Sequence, residues 1–376
     1  MVQPPFFVAR AMPRILFIAA HRPDRSPSQR YRFEQFAGYW AQHGFSHEYA
    51  WLISAEDDRI FYSPGRLGAK AGIFAKSWLR RREQVKRVRD FDLVVIQREA
   101  FMTGSTRFEE QLAASGVPVV YDFDDAIWHM DVSDANRRLR WLKDPTKTAR
   151  LIGMADLVIA GNNYLAEYAR RYSQNVEVIP TVIDTDLYDP RLVANRKDQR
   201  VVIGWTGSYT SLTHLKQELP MLHDVQQRWG DKVLFRVISD RDLVAPGLKV
   251  ENVRWNSATE AADLAGLDIG IMPLPDDDWS RGKCGFKGLQ YMGMGKAVVL
   301  SRVGVNKTIV QHGVNGFLAS TSTEWVEALG QLIASSDLRA KLGAAARHTV
   351  EQSYSVHAWR DRYLELFNTL LQGSTR

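Results

Sequence analysis

One α/β pattern is written twice along this chain. A continuous apolar run bounded by charge, RILFIAA at residues 14–20, opens the first copy, and VVIGW at residues 201–205 opens another about half-way along the 376 residues. Runs of this kind read as central strands of a parallel sheet, buried on both faces. The first copy continues with FDLVVIQ (91–97), VPVVY (117–121), ADLVIA (155–160) and VEVIP (176–180), and the second with residues 233–239, 250–255 and 297–300. Helical spacing lies between them, as in Phe33, Phe36, Ala37 and Trp40, or Phe108, Leu112 and Ala113. Strands alternating with helices predict an α/β fold, and repetition at half the chain length predicts two similar Rossmann-like domains with doubly wound parallel sheets. Residues 186–199, polar and charged, read as the linker.

Composition narrows the function classes. With 45% hydrophobic and 24% charged residues the chain has the profile of a soluble globular protein. A single cysteine, Cys284, excludes an intrachain disulfide and fits a reducing, cytoplasmic setting. No apolar run reaches the length of a membrane-spanning helix, and the N-terminal apolar stretch, interrupted by Arg10, Pro13 and Arg14, does not read as a signal peptide. Residues 1–13 are expected to form a disordered extension, with Met12 a candidate start. The net charge of +6 is local: residues 66–89 hold nine Lys or Arg against Glu83, which leaves the remainder at about −2. That distribution speaks against nucleic acid as a partner. The same segment places Phe74, Trp78, Val85 and Val88 on one helical face. It suits either an amphipathic helix lying on an anionic membrane surface or an ordinary helix packed on the sheet.

Chemistry concentrates in two places. In residues 273–316 an acidic, Gly-rich loop runs into a helical pattern, with Lys283 and Lys287 where loop becomes helix. There the unpaired N–H groups of Cys284, Gly285 and Phe286 favour anions, and the lysines add full charge. The expected ligand is a diphosphate; two solvated lysines at an ordinary helix start are the competing reading. Gly207 and Ser208, after the strand at 201–205, suit a second phosphate-contacting loop. The other place is the strand end at Asp122, Phe123, Asp124 and Asp125, beyond which ligands of open α/β sheets bind. Three acids so close need cations or donors to compensate them, and they suit general-base or hydroxyl-positioning work. Arg30 and Arg32, after the first strand, are candidates for an anionic acceptor or a phosphate. No GxGxxG follows that strand, which argues against a dinucleotide-binding oxidoreductase.

KCGFKGLQYMGMGKAVVLSRVGVN at residues 283–306 resembles the donor signature of the GT-B glycosyltransferases of family 4, the group 1 glycosyl transferases. Both signature glutamates are replaced, by Gly282 and Gln290. The resemblance implies a GT-B fold, with an acceptor-binding domain at 14–185, a nucleotide-sugar-binding domain at 200–355, and residues 356–376 crossing back onto the first. It implies transfer of a sugar from a UDP- or GDP-sugar to a hydroxyl acceptor, lipid-linked or polysaccharide, with retention of configuration. A cofactor or metal is not required. Lys283, Lys287, Asp124 and Asp125 would be catalytic. The donor would lie against Gly207, Ser208, Cys284, Gly285, Phe286 and Gln290, with the base near Arg254 and Trp255. Arg30, Arg32 and Asp122 would meet the acceptor or a phosphate. The DxD pattern Asp122-Phe123-Asp124 also looks like the metal motif of the GT-A fold, against the tandem organisation. A degenerate GT-B partner subunit without transfer activity is the competing class.

Overall fold

A computed structural model describes residues 12–63, 65–129, 142–192 and 199–373. Most of the expected N-terminal extension and linker residues 193–198 lie outside the described residues. The first sheet holds β1 (Arg14–Ile18), β2 (Ser46–Ala50), β3 (Leu93–Gln97), β4 (Val119–Phe123), β5 (Leu157–Ala160) and β6 (Val176–Val178). The second holds β7 (Val201–Gly207), β8 (Val233–Ser239), β9 (Val250–Arg254), β10 (Ile269–Met272), β11 (Ala297–Ser301) and β12 (Phe317–Ala319). Every pairing is parallel. The spatial orders are β2-β1-β3-β4-β5-β6 and β12-β11-β10-β7-β8-β9, so each sheet reverses direction once, between β1 and β3 and between β7 and β10. This is the doubly wound, two-domain architecture expected from the repeat.

The first sheet is buried on both faces, which is why its central strands are apolar throughout. On one face Phe17 stacks on Phe33 at 4.7 Å and on Trp40 at 5.5 Å between ring centroids. The C-terminal helix Val356–Gly373 lies over that layer: Tyr363 and Phe367 pack against Trp40, and the Tyr363 hydroxyl donates to the Arg32 carbonyl at 3.0 Å. Two crossing segments run side by side between the domains, joined where Ile183 and Val356 exchange backbone hydrogen bonds with Tyr354 and Ile183.

The basic helix Leu67–Lys86 packs Phe74 and Trp78 on the opposite face of this sheet. Much of its charge is spent internally. Arg81, fully buried, donates to the carbonyls of Ala19, Ala50 and Ala100, satisfying main chain at or just beyond the ends of β1, β2 and β3. Lys76 pairs with Asp57, Lys86 with Glu83 and Arg87 with Glu48. Arg66, Leu67, Leu79, Arg82 and Arg89 remain exposed.

Candidate active site

Both sheets direct the carboxyl ends of their strands toward one cleft of about 810 Å³ between the domains. Ligand crevices in open α/β sheets form where the strand order reverses, and both reversals open here. Ser28 and Arg98 follow β1 and β3 from one side; Gly207 and Met272 end β7 and β10 on the other.

On the second domain the helix Phe286–Gly293 begins at Gly285, in left-handed backbone (φ 68°), with no side chain capping its first turn. Its leading N–H groups therefore remain open to an anion. Lys287 lies 5.5 Å over the Trp205 ring and Lys283 lies 5.4 Å over the Trp279 ring. Among the described residues neither lysine forms an ion pair with a carboxylate. Gly207 permits the close packing of the two loops on this side of the cleft, since a Cβ there would lie 2.6 Å from Lys287 Cε. Ser208 follows as the residue before the helix Tyr209–Gln217.

Burial, aided by the like charge of Lys283 and opposed by Asp125, pushes the Lys287 pKa down to about 7. The consequence for binding has a definite sign. Above about pH 7 the lysine of the free protein is increasingly neutral, whereas a bound diphosphate favours the ammonium, so binding takes up a proton. Affinity for a diphosphate is expected to fall as pH rises from 7 to 9, approaching tenfold per unit. Calorimetry in buffers of different ionisation enthalpy should register the uptake; a pH-independent affinity would contradict it.

Across the cleft, β4 is longer than its apolar run and carries Asp122 inside the sheet, leaving Asp124 and Asp125 beyond its end. Arg98 clamps both: Nε donates to Asp124 Oδ1 at 2.8 Å and Nη2 to Asp125 Oδ2 at 2.6 Å. Ser28 Oγ adds a bond to Asp124 at 2.7 Å. Burial raises the cost of the Asp124 charge, but Arg98, Arg32 and Ser28 outweigh it and hold its pKa below the ordinary value. Asp125 is raised, because burial and the neighbouring Asp124 exceed what Arg98 and Lys283 return. The pair is thus divided into an ionised carboxylate and a more readily protonated one, the pattern from which acid and base roles are drawn. Arg98 holds φ at 63°, a conformation costly for a non-glycine residue and typical of functional strain.

Several expected site residues lie elsewhere. Arg32 and Asp122 do not line the cleft: Arg32 Nη2 meets Asp122 Oδ1 at 2.5 Å, and the residues are 1% and 3% exposed. They form a buried structural pair rather than an acceptor contact. Arg30 is also off the lining, bound to Asp24 at 3.0 Å and to Glu260 of the second domain at 3.3 Å. Arg254 is exposed, its guanidinium on the Asp240 carbonyl; the neighbouring Trp255 does line the cleft, but its N–H is engaged by Ser239. Gln290 presents nitrogen, not oxygen, to its neighbours. Its Nε2 meets Glu260 Oε1 at 3.0 Å and Tyr188 Oη at 2.9 Å, and a carboxylate can only accept. Gln290 therefore does not offer its amide oxygen at this contact. Cys284, Gly285 and Phe286 do line the cleft; the Cys284 thiol also donates to the Asp124 carbonyl at 3.1 Å and the Phe286 ring meets Tyr31 at 4.2 Å, so these side chains serve the domain contact as well. Gly282 explains its own departure from the signature, since a Cβ there would lie 2.5 Å from Ala126 Cβ of the first domain.

The residues that sequence reasoning missed are Arg98, Ser28, Asn162, Tyr31 and Glu260. The position of Arg98 directly after β3 was the one available signal.

Residues 200–335 match the family model of the glycosyl transferases group 1. The match spans most of the second domain. No curated protein sequence matches the chain, but solved structures do. HepE of Anabaena, in complex with UDP and glucose, is similar at a TM-score of 0.67 and 17% identity, covering 95% of this chain and 99% of its own. Sucrose-phosphate synthase of Thermosynechococcus elongatus is similar at 0.70 and 13%, covering 96% and 100%. A glycosyltransferase of Rickettsia africae gives 0.67 and 13%, covering 96% and 99%. These likenesses establish the GT-B fold over nearly the whole chain. The family match and the shared fold together support a glycosyltransferase.

Proposed function

We propose that the chain transfers a sugar from a UDP- or GDP-sugar to a hydroxyl acceptor, with retention of configuration and without a metal ion. The observation that carries this is the pair Lys283 and Lys287, unmatched by carboxylates among the described residues, at the open helix start facing the Asp124–Arg98–Asp125 cluster. As the bond from sugar to diphosphate breaks, charge gathers on the departing phosphate. The two ammonium groups and the first-turn amides stabilise it where a metal would otherwise act. Asp124 and Asp125, braced by Arg98, orient a hydroxyl of donor or acceptor from the opposite lobe. Closure of the lobes excludes water and limits hydrolysis.

The experiment is a panel of UDP- and GDP-sugars assayed for donor hydrolysis and transfer, with and without a chelator. Turnover that survives the chelator is expected; loss of it with the chelator overturns the metal-free mechanism. Gly282 favours a second reading, a binding subunit without transfer, because the Ala126 contact leaves no room for a carboxylate at that position. Nucleotide binding with no turnover on any donor would establish it.

The acceptor we infer is a lipid-linked or polysaccharide hydroxyl of surface polysaccharide or glycolipid synthesis, approached at the membrane. Leu67 and Leu79, exposed along the basic helix with Arg66, Arg82 and Arg89, support this placement. The protein is expected to co-sediment with anionic vesicles at low salt and not with neutral ones. Equal recovery with both removes the membrane from the reading.

A further inference from the structure

The most heavily bonded carboxylate at the cleft is Glu260, 5% exposed, and the mechanism above does not use it. Its two oxygens have different partners. Oε1 accepts from Trp255 Nε1 at 2.9 Å and from Gln290 Nε2 at 3.0 Å; both donors belong to the second domain and move with Glu260. Oε2 accepts from the Tyr31 and Tyr188 hydroxyls, each at 3.0 Å, and meets Arg30 Nη1 at 3.3 Å. Tyr31 and Arg30 come from the first domain. Oε1 is thus held within the second domain, while Oε2 is held largely across the domain boundary.

The two phenolic oxygens on Oε2 are 2.5 Å apart. Two neighbouring hydroxyls directed at one carboxylate reproduce how a vicinal diol is bound, through charge-assisted hydrogen bonds stronger than neutral ones. The position fits a nucleoside, because Glu260 shares the cleft wall with Trp255, Gly207 and Lys287. We propose that Glu260 is the residue that takes the ribose diol of the donor, through Oε2, and that Tyr31 and Arg30 yield that oxygen as the diol arrives. Gln290, at the position of the missing signature glutamate, acts as a positioning residue that fixes the Glu260 carboxylate from behind. The inference rests on the proposed nucleotide-sugar chemistry and adds to it the group that reads the ribose.

The test compares UDP and GDP with their 2′,3′-dideoxy counterparts by calorimetry on the full chain. The wild type is expected to bind the ribonucleotide at least about tenfold more tightly than the dideoxy form, the range of a hydrogen bond to a charged group. In Glu260→Gln, with its fold checked by thermal melting, that preference is expected to collapse toward unity. Tyr31→Phe, which removes a competing donor from Oε2, is expected to raise UDP affinity about threefold. A wild type that binds ribo- and dideoxynucleotides equally overturns the assignment of Glu260 while leaving the donor chemistry intact. A wild type that binds none of the four overturns the donor reading itself.

Discussion

Lys287→Ala is expected to lower the turnover of sugar transfer by about a hundredfold to a thousandfold, the loss typical of removing one preorganised group from a developing oxyanion. The effect should fall on kcat more than on KM, because the diphosphate carries more charge as the sugar leaves than in the bound donor. Stability should not fall with activity. Lys287 is held below its ordinary pKa by burial, so the folded state bears a cost for its protonated form that alanine removes. A melting temperature at or above that of the wild type is therefore expected beside the kinetic loss. Near-normal kcat would rule out the role assigned to this lysine.

Arg32→Met is expected to have the opposite signature, a loss of about 3–5 kcal/mol in unfolding free energy, measured as a shift in urea midpoint. Removing one member of a buried ion pair leaves the other charge unpaired in a medium that cannot solvate it. Arg32 also donates to the Ile179 carbonyl at 2.6 Å, so the substitution leaves a second acceptor short. The double variant Arg32→Met with Asp122→Leu should recover much of the loss, since an apolar pair of similar volume often replaces a buried ion pair at little cost. A stable Arg32→Met protein with impaired transfer would return Arg32 to the site.

What the sequence disclosed depended on whether the determinant was local. Strands such as β3 and β11 are buried along their whole length, and their apolar runs were plain. The edge strand β2, SHEYA, is only half-buried over its first four residues, so no run marked it. Lys283 and Lys287 were legible because a loop meeting a helix start is itself a local pattern. Glu260 was not, because four of its five partners stand 30, 72, 229 and 230 residues away, only Trp255 being near in sequence, and nothing in NSATEAADL sets it apart from a solvated helix-start acid. Arg32 and Arg30 looked alike in SQRYR, yet one is buried on Asp122 and the other bridges the domains. Positions two apart on a short helix face different directions, and only tertiary contacts decide which is spent on structure. The charge of the basic helix was countable, but its use by the ends of three strands was not.

Asn162 ties the two lobes in a way that bears on how the enzyme would move. Its amide oxygen caps the helix Asn163–Ala169 of the first domain through Leu165 N–H at 2.9 Å, while Nδ2 reaches the carbonyls of Gly282 and Lys283 at 3.0 and 3.2 Å. The turn that carries Lys283 is thereby moored to the lobe opposite its own. A rocking of the lobes about this anchorage would part Arg30 and Tyr31 from Glu260 while the lysine turn stayed put. Swing that broke the anchorage would draw Lys283 away from the Asp125 charge it influences across the cleft. Under the proposed mechanism, opening wide and releasing the diphosphate would then be a single movement.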